Sequence, residues 1–256
     1  MEKKLVLSPK EETSILLDGD FDKDSYSKSL KLSLLQALAM NTKISDEIKF
    51  MSGMSGKKYR YLINHLVYLI ENPRYLEIGS WAGSTVCSAL YGNKAKAVCI
   101  DNWLKFDTEE YVKKVYNTKD QKKEFEENIE KLLKSSENID FKFIESDFRK
   151  VNYKELGNFN IYCYDALHDE KSQYEGISIV QPALDDVFII IIDDWNWQEV
   201  RKGTLNALGD LKISIISKIE VKTTQDNTMP KLFLGQYSDW HNGYFIAVCK
   251  KNSLKT

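Results

Sequence analysis

The chain has 256 residues, and its 36 Lys and Arg residues nearly balance its 38 Asp and Glu residues, so the formal net charge at pH 7 is -2. Domains commonly contain about 100 to 250 residues, so this length suits one large catalytic domain with a small appendage. The charge balance creates no overall positive field, which argues against a nucleic-acid partner. The longest purely apolar run, 187–192, is far shorter than the roughly 20 residues that cross a bilayer, so we expect no membrane partner.

The spacing of the four cysteines predicts a reducing compartment. They lie far apart, mostly inside apolar runs, and lack the C-x-x-C pairing of a zinc or redox motif: Cys87, Cys99, Cys163 and Cys249. We therefore expect them to be reduced core residues. Glu, Lys and Pro interrupt residues 1–13, unlike an export signal, so the sequence predicts a cytoplasmic protein.

In chain order, the first predicted unit is an N-terminal helical or lid extension, residues 1–55. Within it, residues 29–40 carry leucines at roughly helical spacing, which predicts a helix that serves as a lid or as a contact in a homo-oligomer. The main domain, residues 56–256, is predicted to open with a helix over residues 59–71, which Asn72-Pro73 ends.

From residue 74 onward, short apolar runs alternate with helical patterns. Strands are predicted at 75–78, 97–100, 141–144, 160–164, 187–192, 213–219 and 244–249, and helices at 84–91, 119–133, 170–180 and 199–208. This alternation predicts an α/β fold with a mostly parallel sheet covered on both faces. No convincing helix separates the two last strands, so we expect them to pair as an antiparallel hairpin around a polar excursion, 222–242. The Lys- and Glu-rich segment 105–134 mixes both charges, which favours a solvated helical face over nucleic-acid binding.

A glycine turn follows the first strand of the main domain, in the run Glu77-Ile-Gly-Ser-Trp-Ala-Gly83. Gly79 would allow a sharp turn, and Gly83 would allow the next helix to pack closely with its N-terminal amides facing a ligand. Glu77 would be costly in a core strand unless it met a donor. Asp101 ends the second apolar run, where a carboxylate can bind ribose hydroxyls. The alternative is a tight turn without a ligand.

Carboxylates also follow two later strands. Asp165 comes after the predicted strand 160–164, and Asp193 and Asp194 come at the end of 187–192. Adjacent parallel strands would bring the three together at the carboxyl edge of the sheet, where they would repel one another unless a cation were bound. Oxygen ligands suit Mg²⁺. The alternative is that one Asp caps the next helix and another pairs with Arg201.

These motifs resemble those of class I S-adenosylmethionine-dependent methyltransferases, a family with a Rossmann-like, three-layer sandwich whose seven-stranded, mostly parallel sheet has an antiparallel last strand. The resemblance covers residues 59–250. It implies that Gly79 and Gly83 flank the methionine part of the cofactor, that Asp101 holds the ribose hydroxyls and that Asp147 lies near the adenine. The full set of cofactor-binding residues that it implies is Glu77, Gly79, Ser80, Trp81, Gly83, Ser84, Asp101, Asn102, Asp147 and Asp165.

The acidic residues are similar to those of metal-dependent O-methyltransferases of the catechol type and of macrolide and aminocoumarin sugars. Ala166 replaces the usual glycine, and Leu184-Asp-Asp186 stands where many relatives have Pro-Gly-Gly. The resemblance implies Mg²⁺ bound by Asp165, Asp193 and Asp194. His168 and Asp165 are the predicted catalytic residues: His168 has a suitable intrinsic pKa to accept the acceptor's proton, or else it holds a metal-bound Asp.

Aromatic and histidine side chains complete the predicted site. In an extended segment, Trp195 and Trp197 would lie on one side as a flat wall for a sugar or an aromatic ring, although core burial is an equal alternative. His241 is a candidate for lining the acceptor pocket.

The sequence thus predicts O-methylation of a small-molecule hydroxyl, with a sugar or glycosylated metabolite preferred over a catechol. Two rivals remain. An NAD-dependent oxidoreductase would share the glycine turn and the acidic ribose ligand, but it would normally show Gly-x-Gly-x-x-Gly. A non-catalytic metabolite-binding protein would not need its carboxylates.

Overall fold

The computed structural model describes residues 12–104, 120–136, 138–231 and 234–252. The helices are α1 (Ser25–Leu38), α2 (Asp46–Lys49), α3 (Lys57–Leu69), α4 (Ser84–Leu90), α5 (Gln121–Ser135), α6 (Glu170–Ser178) and α7 (Gln198–Asp210). The strands are β1 (Ser14–Gly19), β2 (Arg74–Ile78), β3 (Ala95–Asp101), β4 (Ile139–Glu145), β5 (Phe159–Tyr164), β6 (Leu184–Asp193), β7 (Ile213–Lys222) and β8 (Tyr244–Lys251).

The strands form one sheet in the order β1-β7-β8-β6-β5-β2-β3-β4. Five neighbouring strands in the sheet run parallel, namely β6, β5, β2, β3 and β4. Strand β8 is antiparallel to both β6 and β7. The predicted α/β fold, its mostly parallel sheet and its terminal antiparallel hairpin are therefore confirmed, and the arrangement is Rossmann-like.

The sheet has eight strands, whereas seven were predicted. The additional strand, β1, pairs antiparallel with β7 at the edge of the sheet. Its sequence has only one short apolar run, Ile15-Leu16-Leu17, and most of its side chains are exposed. An edge strand with little burial leaves a weak periodic signal, which is why the sequence pattern did not predict it.

Hydrophobic side chains cover the sheet on both faces, which gives three layers. The helices α1, α3, α4 and α5 contribute to one buried cluster, and α6 and α7 contribute to the other. Strand β6 divides its apolar residues between the two clusters, with Ile189 and Ile191 in the first and Ile190 and Ile192 in the second. A continuous apolar run is the pattern expected of a strand that is buried on both sides.

The N-terminal residues join this same architecture. Asp24 caps α1 by accepting the backbone N–H of Ser27, so the helix begins four residues before the predicted start, and α1 packs against α3. Leu30 and Leu34 are buried in the first cluster, while Leu35 on the opposite face is exposed. The leucine spacing therefore reflects a helix that is half core and half surface.

Most predicted boundaries agree with the structure to within a few residues. The predicted helix 119–133 is observed as α5, although its predicted first residue, Lys119, lies outside the described residues, as do residues 1–11 and the rest of 105–119. The four cysteines are buried and form no disulfide. Within the described ranges, no helix combines the length and apolar composition that a membrane span requires.

The sheet also positions the ligand edge. Strand β2 lies between β3 and β5, so the chain order of the strands reverses beside it, which is where open α/β sheets form a crevice at their carboxyl ends. The backbone N–H of Gly79 donates to Ile100 O at 3.0 Å, and that of Asp165 donates to Ile78 O at 2.9 Å. These bonds join the ends of β2, β3 and β5 just below the crevice.

We predict that Gly79→Ala destabilises the fold, whereas Gly209→Ala does not. At Gly79, φ is +86° and an added Cβ would lie 1.8 Å from the carbonyl oxygen of Asp165, while at Gly209, in the last turn of α7, an added Cβ meets nothing within 4 Å. Left-handed strain alone costs about 1–3 kcal/mol, and alanine is favoured over glycine in a helix by roughly 1 kcal/mol. Urea unfolding followed by circular dichroism measures both changes. Equal free energies of unfolding for the two variants would contradict the proposed close approach.

Candidate active site

The turn after β2 is formed by two glycines with left-handed backbone conformations. Gly79 and Gly83 both have φ of 86°, and the backbone N–H of Gly83 donates to Ser80 O at 2.7 Å. Gly83 immediately precedes α4, whose first residues are buried. Since an added Cβ at Gly79 would overlap the backbone of Asp165, the turn lies directly against the end of β5. The glycine turn and the acidic strand ends are therefore neighbours.

Glu77, at the penultimate position of β2, is fully buried. Burial raises the pKa of its carboxyl to about 8, although the Tyr75 hydroxyl, which donates to Oε2, opposes the shift. A side-chain hydrogen bond from Ser80 lowers the pKa of Glu77 as well, although Oε1 has no partner of normal geometry among the described residues. A buried carboxylate that is incompletely hydrogen-bonded behind a glycine turn suits a polar ligand group.

Asp101, at the end of β3, is oriented by backbone donors. Its Oδ2 accepts the N–H of Trp81 and its Oδ1 accepts the N–H of Trp103, both at 2.8 Å. The indole N–H of Trp103 donates to Trp81 O at 3.0 Å. The carboxylate thus links the glycine turn to the segment after β3, and each oxygen keeps a lone pair for a further donor. Asn102 accepts the N–H of Leu104 at 3.2 Å.

Two other predicted cofactor residues have local partners. Asp147 caps a short helical turn, because its Oδ1 accepts the N–H of Arg149 at 3.0 Å. Ser84, at the start of α4, has its hydroxyl 3.2 Å from that of Ser55, in the loop before α3. Both lie at the carboxyl side of the sheet, following β4 and β2 respectively, in agreement with the predicted order of motifs.

The acidic residues meet because β5 and β6 are adjacent, parallel and in register, with Tyr164 opposite Ile192. The ligand atoms of Asp165, His168 and Asp194 all lie within 4.8 Å of one another, which is a suitable spacing for one metal ion. The predicted ligand set was Asp165, Asp193 and Asp194. In the structure, this group contains His168, and Asp193 contacts it through a side-chain hydrogen bond with Asp165.

Asp193 is buried below the group. Its Oδ1 accepts the backbone N–H of Asp194 at 2.6 Å. Burial, together with the negative charges of Asp165 and Asp194, raises the pKa of Asp193 well above its ordinary value. Burial and Asp194 also raise the pKa of Asp165, to about 7. In the absence of a cation, the closely spaced carboxylates therefore favour a proton on Asp193, which it shares with Asp165.

Asp194 is the one carboxylate of the three whose pKa is lowered. Burial alone would raise that pKa, but the His168 imidazole and the donors around it favour the charged form and reverse the direction. His168 Nε2 lies 2.7 Å from Asp194 Oδ2. The contact is an ion pair when His168 is protonated, and the hydrogen bond between the two side chains favours the charged Asp194. Although burial opposes it, Asp194 raises the pKa of His168.

The alternative roles proposed for these carboxylates are not observed. Helix α7 begins after Trp197 without a side-chain cap, so neither Asp193 nor Asp194 caps it. Arg201 donates to the carbonyl oxygens of Trp195 and Asn196, at 2.7 and 2.5 Å, and not to either carboxylate.

The predicted flat wall of two tryptophans is also not formed. Asp194 has φ of 57° and the N–H of Trp197 donates to Asp194 O, so the segment turns and is not extended. Trp195 is buried, stacks on Phe245 and donates from its indole to Glu220 at 2.9 Å. Trp197 remains partly exposed and packs edge-on against His168, with ring centroids 4.8 Å apart. Of these two tryptophans, Trp197 is therefore the one that can contact a ligand beside the acidic group.

The segment between β7 and β8 supplies residues that sequence reasoning missed or left as an alternative. Asn242 is buried and donates from Nδ2 to Asp194 Oδ1 at 2.6 Å. His241 is buried, with Nδ1 accepting the N–H of Gly235 at 3.0 Å, and burial lowers the pKa of this imidazole to about 4. His241 therefore faces the acidic group as a neutral side chain. The polar run Trp-His-Asn-Gly directly before the last strand was the available signal.

The chain was compared with known proteins. A family described as "Methyltransferase domain" matches residues 76–195, which contain the glycine turn and also Asp165, Asp193 and Asp194. No curated protein sequence matches the chain.

Solved structures share the general arrangement at low sequence identity. The methyltransferase PaMTH1 of Podospora anserina, bound to S-adenosylhomocysteine, is 12% identical, with 88% of each chain covered and a TM-score of 0.49. The O-methyltransferase TomG of Streptomyces achromogenes, involved in tomaymycin synthesis and bound to S-adenosylmethionine, is 12% identical, with 87% of this chain and 90% of TomG covered and a TM-score of 0.46. These structural likenesses do not bear on the substrate. Over residues 76–195, the chain is similar to methyltransferase domains.

Proposed function

We propose that this protein is an S-adenosylmethionine-dependent O-methyltransferase that acts on a hydroxyl of a small molecule and uses a divalent cation, Mg²⁺. The observation that carries the proposal is the position of the Asp165, His168 and Asp194 group directly beside the glycine turn. The methyltransferase-domain match over residues 76–195 supports the cofactor class. Without that match, the glycine turn would be equally compatible with a nicotinamide cofactor.

The proposed cofactor would be held by the residues around the turn. S-adenosylmethionine, when bound, supplies an electrophilic methyl group. Gly79 allows the turn to lie against the end of β5, and Asp101, fixed by two backbone N–H groups, offers its free lone pairs to the ribose hydroxyls. Glu77 and Ser80, buried behind the turn, are the polar groups that fit the amino-acid end.

The proposed cation would be held by Asp165, His168 and Asp194. A divalent cation there would lower the pKa of an acceptor hydroxyl, which is otherwise a poor nucleophile at neutral pH. The donor set fits, because two carboxylates and one imidazole nitrogen lie close enough for one ion, and the cation would relieve the repulsion among the carboxylates. An imidazole also suits Mn²⁺ and heavier ions, so Mn²⁺ is a useful probe.

The proton acceptor that we propose is Asp165. Without a cation, burial and Asp194 raise its pKa to about 7. A bound cation would lower this pKa, so we propose that the Asp165 oxygen away from the cation accepts the proton. His168 was the other candidate, but its contact with Asp194 raises its pKa, so it is protonated more often than a free histidine. We assign His168 to the cation because its ring nitrogen lies in the group with Asp165 and Asp194.

The acceptor class that we favour is a sugar or glycosylated metabolite. Trp197 presents a partly exposed ring beside His168, and a single aromatic face is a common surface for a sugar ring. A catechol would fit the same face, so product analysis with both acceptor classes is needed to choose between them.

We predict that S-adenosylhomocysteine binds the purified chain and that NADH does not. Asp101→Asn should weaken S-adenosylhomocysteine binding about 10- to 100-fold, because it replaces one accepting oxygen of a charged hydrogen-bonding group. Isothermal titration calorimetry measures both ligands. Asp140→Asn, an exposed carboxylate of β4, is the matched control and should bind like the unaltered protein. Binding of NADH alone would favour the oxidoreductase instead.

We predict that cation binding strengthens as the pH rises from about 6 to 8. A histidine must be neutral to ligate a metal, and Asp194 raises the pKa of His168 even though burial opposes the shift, so protons compete with the cation at lower pH. Titration of Mn²⁺ at several pH values, in buffers of different ionisation enthalpy, would detect the released proton. Affinity that does not change with pH would remove His168 from the ligand set.

We predict that Asp194→Asn abolishes cation-dependent methyl transfer and that chelation with EDTA does the same. Asp193→Asn is the informative partner, because Asp193 lies outside the group that could hold the ion. It should retain more cation affinity than Asp194→Asn. The reverse order would restore Asp193 as a ligand, and unchanged turnover in both variants would favour the non-catalytic alternative.

A further inference from the structure

We infer that Asn242 is a positioning residue for Asp194, and that Asn196 sets the direction in which the Asn242 amide points. The inference rests on the proposed function, because it concerns how one carboxylate of the proposed cation site is held. Neither asparagine belongs to the acidic group itself, and they lie 46 residues apart in sequence.

The contact between Asn242 and Asp194 is short and fully buried. Asn242 Nδ2 lies 2.6 Å from Asp194 Oδ1, while Asp194 Oδ2 lies 2.7 Å from His168 Nε2. One carboxylate oxygen is therefore occupied by the amide, and the other faces the acidic group. Rotation of the Asp194 carboxylate would break both contacts, so the amide fixes which oxygen is available to a ligand.

Backbone groups determine the orientation of the Asn196 amide. Its Oδ1 accepts the backbone N–H of Thr223 at 2.9 Å, and its Nδ2 donates to the carbonyl oxygen of Thr228 at 3.3 Å. A backbone N–H can only donate and a carbonyl oxygen can only accept, so the Asn196 amide has one allowed orientation. The Asn196 Nδ2 therefore points toward acceptors, and its two shortest contacts are with Thr223 Oγ1 at 2.8 Å and with Asn242 Oδ1 at 2.9 Å.

The fixed orientation of the Asn196 amide also fixes the orientation of the Asn242 amide, which contacts Asp194. Because Asn242 Oδ1 accepts from Asn196, its Nδ2 is the group that remains for Asp194. If the Asn242 amide were reversed, its oxygen would face Asp194 Oδ1, and its NH₂ group would face the NH₂ group of Asn196. Both contacts would be repulsive. Gly243 preserves the geometry, since an added Cβ there would lie 2.9 Å from Asn196 Oδ1.

The pair also joins three separate parts of the chain around the site. Asn196 follows β6, Thr223 follows β7 and Asn242 precedes β8, and all three side chains are buried. The backbone N–H of Asn196 adds a bond to Asn242 O at 3.0 Å. A buried polar network in which every member has a partner is rigid, and rigidity is what a carboxylate ligand requires.

The test measures Mn²⁺ binding by calorimetry to the full chain without cofactor or acceptor. Asn242→Ala should weaken binding about 10- to 100-fold, the usual effect of removing a group that orients a metal ligand. Asn196→Asp should weaken it as well, although Asn196 does not touch Asp194, because the new carboxylate still accepts from Thr223 but no longer donates to Asn242. Asn160→Ala is the control: Asn160 is equally buried and accepts the N–H of Arg74, but it lies at the opposite edge of the sheet.

Loss of Mn²⁺ affinity in both site variants, with the control unchanged, supports the inference. Affinity within twofold of the unaltered protein in either folded site variant overturns it. A crystal structure of the metal-free Asn242→Ala protein gives a readout that does not depend on metal: Asp194 Oδ2 should leave His168 Nε2. If the unaltered protein binds no Mn²⁺, the proposed cation site is wrong, and the crystal structure still decides whether Asn242 orients Asp194.

Discussion

Repulsion among buried carboxylates is the interaction on which the candidate site depends. Parallel pairing of β5 and β6 ends both strands in acidic residues at the same edge of the sheet. Asp193 and Asp194 are buried and Asp165 is partly buried, so little water screens their charges. The protein distributes this charge unequally. Asp193 has a raised pKa, whereas Asp194 is kept charged by His168 and Asn242. Asp194 is thus held in its charged form, while Asp165 and Asp193 have raised pKa values. A divalent cation would relieve the repulsion that raises those pKa values.

Two irregular segments enclose this edge and are bonded to each other. In the loop before α3, the backbone N–H and C=O of Gly53 bond to Gln236, in the segment between β7 and β8. Arg60 holds the same loop from below by donating to the carbonyl oxygens of Ile48 and Met51. The loop contacts α4 through Ser55 and Ser84, and the later segment reaches Asp194 through Asn242. Hydrogen bonds therefore connect the segments beside the glycine turn with those beside the acidic residues.

Much of the fold follows from local pattern. Alternating apolar strands and amphipathic helices between residues 74 and 249 are sufficient to indicate the layered sheet, because each element must bury one face or both. Edge strand β1 escaped prediction because it buries little. The left-handed Asp194 converts the segment after β6 into a turn, so the two tryptophans form no flat wall, and Trp195 takes the alternative position in the core. A positive φ at a non-glycine residue is set by its surroundings and leaves little trace in the sequence.

The sequence by itself determined that glycines and acidic residues would lie at strand ends, since strand length and side-chain alternation are local properties. Only the tertiary structure decided which of those residues face each other. The choice of His168 over Asp193 in the acidic group depends on side-chain direction after β5 and β6, and the role of Asn242 depends on a contact 48 residues away from Asp194. Such long-range contacts arise from the packing of the whole sheet, because no local energy term relates residues so far apart in the chain.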